Sequence, residues 1–243
     1  MSKAAAVQLA PNVWRIPTTP ADLVNSFAFA EADGSVTLVD CGIKGLGARR
    51  ITAGLAAMGR HPRDVQRIVL THAHADHAGG ALQVMRSSRA PGVTVHEDDA
   101  DFVRDGRMPP RDQTVAPRWL TLLDRAGGGF PAVVVAGTVA DGDLLPVAGG
   151  LRVVHTPGHT PGHVSLLHEP SAVLVTGDAV WNMRGRMTWP VLALCSDAHL
   201  TQQTAEVLGE LTYETAAFTH GPEIRANARE VVRGFLRSAK RLP

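Results

Sequence analysis

Cysteine is scarce in this chain: 243 residues contain two, Cys41 and Cys195. That is too few for a disulfide framework, so the small scaffolds stapled by several bridges are excluded. Neither sign of charge prevails. The formal net charge is +1, and no overall field draws the chain to nucleic acid or to an anionic membrane. Long apolar runs are missing too. The longest, such as "PAVVVAG" at 131–137, fall far short of the roughly 20 residues a membrane helix needs. The start, "MSKAAAVQLAPNVWRIP", has one lysine, an early proline and no apolar core of signal-peptide length. These absences leave a soluble, cytoplasmic protein with a small-molecule substrate, no nucleic-acid partner and no membrane. Oligomeric state leaves no trace in the composition.

With 44% hydrophobic and 19% charged residues, a chain of this length can bury most of its apolar surface without disulfide help. The pattern starts with strands: "NVWRIPT", "NSFAFAEA" and "SVTLVDCG", with the Asp-Gly turn signal in "EADGS". "GARRITAGLAAMGRHP" reads as an amphipathic helix closed by glycine and proline. "QRIVLTH" is a short, nearly all-apolar strand, as expected when both faces are covered. "AGGALQVMRSS" reads as helix, and "GVTVHEDD" as a strand leading into another helix. The second half alternates again: strands at "GGLRVVHTPGH", "HVSLLHEP" and "SAVLVTGDAV", a capped helix at "SDAHLTQQTAEVLGEL", a strand at "YETAAFTHGP" and a closing helix at "EIRANAREVVRGFLRSAK". Two packed sheets with helices outside fit this order, and no linker divides residues 1–243 into two domains. Residues 105–131 stand apart, rich in proline and glycine, with one helix expected at "PRWLTLLDRA". Such a segment is either a lid over a binding site or a plain surface excursion.

What the chain does have is histidine in one place. Of its 11 histidines, three fall in "THAHADH" at 71–77, just after "RIVL". His72 and His74 share a side of extended backbone. Asp76 and His77 follow as the chain turns, so the cluster could serve two metals. Candidates for the remaining ligands occur in the same setting, a buried strand followed by a ligand-type residue and then Gly or Pro. They are His159 in "HTPGHTPGH", Asp178 in "VLVTGD" and His220 in "AAFTHGP". One histidine at a strand end is usually structural; four matching segments argue for a site at strand ends.

Together these motifs resemble the metallo-β-lactamase superfamily. "HAHADH" fits its H-x-H-x-D-H signature, and "HTPGHTPGH", "TGD" and "THG" follow in the order of its later ligand motifs. The resemblance runs from "VTLVDCG" to "THGP". It implies an α+β fold, the αββα four-layer sandwich, with a dinuclear centre between the sheet ends. It also implies that His72, His74 and His159 bind one divalent metal, that Asp76, His77 and His220 bind the other, and that Asp178 bridges them. Asp40, in "LVDCG", resembles the acidic residue beneath such sites, where it would accept an N–H from a ligand histidine. His155, His163 and His96 are expected in supporting or solvated roles. His61, His168 and His199 receive no role, and both cysteines are expected to be small buried residues.

The donor set is nitrogen and carboxylate without thiolate, which suits zinc and also iron or manganese. Two such ions hold a bridging hydroxide at neutral pH, so the expected chemistry is hydrolysis, with Asp76 as the catalytic residue that orients the nucleophile. Departures from the subfamilies narrow the choice. Enzymes that hydrolyse β-lactams lack the bridging aspartate. Glyoxalase II enzymes carry a long C-terminal helical domain, whereas 23 residues follow His220 here. Acyl-homoserine lactonases place a tyrosine three residues after the bridging aspartate; that position is Trp181, and the single tyrosine is Tyr213. The expectation is a carboxylic ester, thioester or lactone hydrolase; the alternatives are an iron oxidoreductase resembling persulfide dioxygenases, or a phosphodiesterase. Substrate choice would fall to 105–131 and to the stretch with Trp181, Met183, Arg184, Arg186, Met187 and Trp189, as a pocket wall or as simple packing.

Overall fold

A computed structural model describes residues 5–117, 119–120 and 129–242. Strands β1 (Val7–Ala10), β2 (Val13–Pro17), β3 (Asn25–Ala30), β4 (Val36–Val39), β5 (Val65–Val69), β6 (Val93–His96) and β7 (Val135–Val139) form one sheet in sequence order. The pairings from β1 to β4 are antiparallel, and those from β4 to β7 are parallel. The change coincides with the first crossover helix, because parallel neighbours need a connection long enough to return across the sheet. Strands β8 (Leu144–Leu145), β9 (Leu151–His155), β10 (Val164–His168), β11 (Val173–Val175) and β14 (Thr215–Ala217) form the second sheet. Its outermost pair, β11 with β14, is parallel. β12 (Trp181–Met183) and β13 (Arg186–Thr188) make a separate hairpin.

Three apolar clusters among the described residues define the layers. The middle one joins Phe27, Phe29, Val39 and Val69 of the first sheet to Leu151, Val153, Leu166 and Val175 of the second. Alternation sends the intervening residues outward. Thus Ala28 and Leu38 meet Ile51 and Leu55 of α1 (Leu46–Ala57) and Val103 of α4 (Glu97–Asp105). Leu174 and Ala216 meet Leu208 and, from α6 (Ala228–Ser238), Val232 and Leu236. Between α1 and α4 lie α2 (Ala75–Ala78) and α3 (Ala81–Ser87); α5 (Ala198–Thr204) precedes α6. Helix, sheet, sheet, helix is the four-layer order expected from the sequence.

Two boundaries differ from expectation. The closing helix begins at Ala228, since Ile224 is engaged in a bridge to Ala216 at the sheet edge. The stretch after Asp178 contains a β-hairpin whose two-residue turn, Arg184 and Gly185, has φ of 55° and 76°. The expected "PRWLTLLDRA" helix lies mostly outside the described residues. The excursion around it leaves and returns at one point, where Arg107 pairs with Gly129.

Candidate metal centre

All seven predicted ligands sit just beyond the C-terminal ends of strands: His72, His74, Asp76 and His77 after β5, His159 after β9, Asp178 after β11 and His220 after β14. They converge into three overlapping groups able to hold a cation: His72 with His74 and His159, His72 with His77 and Asp178, and Asp76 with His77 and His220. Asp178 Oδ2 lies 3.2 Å from Nε2 of both His159 and His220, and Oδ1 lies 3.6 Å from His77 Nε2. Asp178 therefore stands between the two histidine sets. Asp76 lies 3.5 Å from His220 Nε2, and its carboxylate is the most exposed of the seven side chains at 37%.

Hydrogen bonds decide how one ring faces the centre. Asp40, buried and at φ 59°, accepts the Thr71 N–H and the Thr71 hydroxyl, each at 2.8 Å. With its proton committed to Asp40, Thr71 Oγ1 can only accept from His72 Nδ1, 3.0 Å away. His72 Nε2 is then a bare lone pair, fully buried and without a hydrogen-bond partner among the described residues. An orphaned acceptor of this kind inside a histidine cluster is what a metal ligand looks like before the ion is considered, so the residues fit a cation. Asp40 also accepts His77 Nδ1–H at 2.9 Å, the support foreseen for it.

Three further residues hold these ligands: His163, for which the sequence offered a supporting or solvated role, and Asp99 and Cys195, to which it gave no role at the site. His163 accepts the Asp178 N–H through Nε2 at 2.7 Å and donates from Nδ1 to the Thr156 carbonyl at 2.9 Å. Gly177 makes room for that ring, since a Cβ there would run into His163 Nε2. Asp99, buried in α4, accepts from Ala73 N, Thr160 Oγ1 and Gly162 N. It ties the loop after β5 to the loop after β9. Cys195 Sγ lies 3.4 Å from His159 Nδ1.

Other candidates fall elsewhere. His96 and His155 stack at 3.9 Å, 15° from parallel, with Asp98 3.6 Å from His96. Their nitrogen lone pairs therefore lie in parallel planes. Tyr213 is buried in the outer layer with Phe218 and Val232. Trp181 packs against His220 with ring centroids 4.2 Å apart and the planes tilted by 35°, whereas Trp189 packs on Phe235 and donates to the Lys240 carbonyl. Arg184 and Arg186 are exposed at the hairpin tip.

Burial and charge pull the histidines apart. Burial, helped by the neighbouring rings, pushes His72 and His74 well below the usual imidazole range, and His163 down to about 3. Burial acts the same way on His77 and His159 but is outweighed. The carboxylates of Asp76, Asp178 and Asp40 hold His77 well above its ordinary value, and Asp178 raises His159 to about 10. The sign follows from proton counts. Groups lowered in the folded state contribute stability that is complete above about pH 6.5, the unfolded histidine value, and is lost on acidification. Groups raised in the folded state contribute stability that is complete below that pH and is lost towards pH 10. The metal-free protein is therefore expected to melt highest near pH 6.5 and lower on both sides. Melting temperatures of chelator-treated protein from pH 4 to pH 10 check this, and a flat profile would contradict it.

Comparison with known proteins agrees with the geometry. Residues 19–220 match the family profile described as the Metallo-beta-lactamase superfamily. The chain is 25% identical to the uncharacterized protein YobT of Bacillus subtilis (strain 168), over 94% of this chain and 96% of that protein. It is 28% identical to a hydroxyacylglutathione hydrolase of Rhodopseudomonas palustris (strain BisA53), over 57% of this chain but only 44% of that enzyme. Among solved structures, the metallo-beta-lactamase SMB-1 superposes with a TM-score of 0.71 at 19% identity, covering 97% of this chain and 94% of that one. At that identity the likeness concerns the fold.

Proposed function

We propose that this chain, which belongs to the metallo-β-lactamase superfamily, is a hydrolase that uses two divalent metal ions, zinc by its donor set, to cleave a carboxylic ester, thioester or lactone. The observation that carries this reading is the position of Asp178, one carboxylate within 3.6 Å of histidines from both sets. His72, His74 and His159 would hold one ion, Asp76, His77 and His220 the other, with Asp178 shared. Ions so held supply an activated water and polarise the substrate carbonyl. The rest is done by the chain. Asp76, open to solvent on one side, would orient the attacking water by accepting a hydrogen bond from it. Asp40 and Thr71 hold His77 and His72 in the tautomer that turns Nε2 inward. Attack of the water oxygen on the carbonyl carbon, breakage of the bond to the leaving oxygen or sulfur and delivery of the water's proton to that atom would give acid and alcohol or thiol, or from a lactone a single hydroxy acid.

The full donor set favours hydrolysis over the single-iron oxidoreductase, and a net charge of +1 gives no support to a nucleic-acid phosphodiester. The test is metal content of protein purified without added metal, with a screen of esters, thioesters, lactones and phosphodiesters. Expected are two divalent ions per chain and turnover of a carboxylic substrate, abolished by a chelator and by His74→Ala. One iron with oxygen consumption, or turnover of phosphodiesters alone, would overturn the reading.

A further inference from the structure

We propose that the Cys195 thiol is a positioning residue for His159, fixing which ring nitrogen is offered to a metal. The inference rests on the reading of this site as a metal centre. His159 presents Nε2 to the centre, 3.2 Å from Asp178 Oδ2 and 3.0 Å from His74 Nδ1. A ring that ligates through Nε2 carries its proton on Nδ1, and that proton needs an acceptor. The atom there is Cys195 Sγ, fully buried and 3.4 Å away. The thiol's own proton is directed to the Val191 carbonyl, 3.9 Å from sulfur. For a ring that ligates through Nε2 the order is thus His159 Nδ1–H to sulfur, and S–H to carbonyl.

The sulfur is held in place by the main chain around it. Ser196 N–H donates to the His159 carbonyl at 3.0 Å, and Asp197 N–H donates to the Gly158 carbonyl at 2.8 Å. Asp112 N–H donates to the Cys195 carbonyl at 2.7 Å, so the described start of the 105–131 excursion is seated on the same turn. Within the centre, Cys195 occupies the position that Asp40 takes for His77 and Thr71 takes for His72. Sulfur is a weaker acceptor than a carboxylate. It therefore orients the ring while adding less basicity than Asp40 adds to His77. Complete burial leaves the thiol no access to a substrate, which separates this role from that of a nucleophile.

The test compares Cys195→Ala and Cys195→Ser in the full chain. Zinc affinity is measured by competition with a chromophoric chelator, and the visible spectrum of the cobalt-substituted protein reports the ligand field. Melting of the metal-free proteins controls for the fold. Cys195→Ala is expected to bind zinc about 10–100-fold more weakly with an altered cobalt spectrum and little change in metal-free melting. Cys195→Ser, whose hydroxyl accepts the same N–H, is expected to recover most of the affinity. Unchanged affinity and spectrum in Cys195→Ala would overturn the proposal. Equal loss in both variants with lowered melting would do so too, since it would mark a packing role. Wild-type protein that takes up neither zinc nor cobalt would instead overturn the reading of the centre itself.

Discussion

Asp178→Asn is expected to fold and to lose hydrolytic turnover by about 10²–10⁴-fold, together with metal retention. The substitution keeps the shape of the side chain and removes its charge. The local hydrogen bonds survive. Thr219 Oγ1–H donates to Asp178 Oδ1 at 2.6 Å and also lies 2.7 Å from the Gly177 carbonyl. An amide oxygen can accept from Thr219 as the carboxylate does; in the flipped amide the hydroxyl turns to Gly177 and accepts the NH₂. The backbone N–H to His163 does not involve the side chain at all. What no orientation restores is the anion that faces His159, His220 and His77. The lost anion is expected to weaken the hold on the two ions, and with it the stabilisation of the reacting charge, by about 3–5 kcal/mol, the scale on which a buried charge pair is broken. At about 1.4 kcal/mol per tenfold, that gives the range above. Because Asp178 is shared, both histidine sets should weaken together. Metal analysis of the purified variant and kcat/KM on the substrate found by screening measure the two effects. A variant holding two ions and within tenfold of wild-type activity would remove Asp178 from the centre.

Asp178 was legible because its setting has a signature: "VLVT" is a buried strand, and a carboxylate just beyond it, followed by a turn into the next apolar residues, has few structural uses. The same grammar picked out His72, His159 and His220, and the structure brings all of them together with His74, Asp76 and His77. Asp40 was legible for a similar reason, lying at the end of β4 beside β5. The supporting residues had no such mark. "HEDDAD" reads as an acidic, solvated first turn of a helix, a favourable place for carboxylates. Nothing local says that Asp99 is completely buried while Asp98 is exposed. Cys195 lies in a loop whose meaning comes only from its long-range pairing with Gly158 and His159. The β12–β13 hairpin was missed because its turn is Arg184-Gly185 and not the Asn-Gly or Asp-Gly that signals such turns. In each case local pattern was clear where strand periodicity dictated it and silent where tertiary contact did.

Asp99→Ala is expected to lower the melting temperature by about 10–20 °C, and Asp99→Asn to fall only partly short of that. The carboxylate has no exposure to solvent. Oδ2 accepts Ala73 N–H at 2.8 Å and the Thr160 hydroxyl at 2.7 Å, and Oδ1 accepts Gly162 N–H at 2.8 Å. Ala73 lies between His72 and His74, and Thr160 follows His159, so one side chain spaces the two ligand loops. Alanine strands two buried backbone donors and a hydroxyl. At about 1–3 kcal/mol for each of the three stranded donors the cost is roughly 3–9 kcal/mol. For a chain of this size each kcal/mol lowers the melting temperature by about 2–4 °C. Asparagine does not rescue the site, because its NH₂ must replace one of the two oxygens. Placed at Oδ2 it opposes the Ala73 N–H, and placed at Oδ1 it opposes the Gly162 N–H. Gly162 lets its N–H come this close, since a Cβ there would run into the Asp99 side chain. The ligand loops should drift apart as well, so zinc affinity of Asp99→Asn is expected to fall even at temperatures where the variant is folded. Asp99→Asn melting within 3 °C of wild type would show that the loops are held by their own backbones and that Asp99 is a passenger.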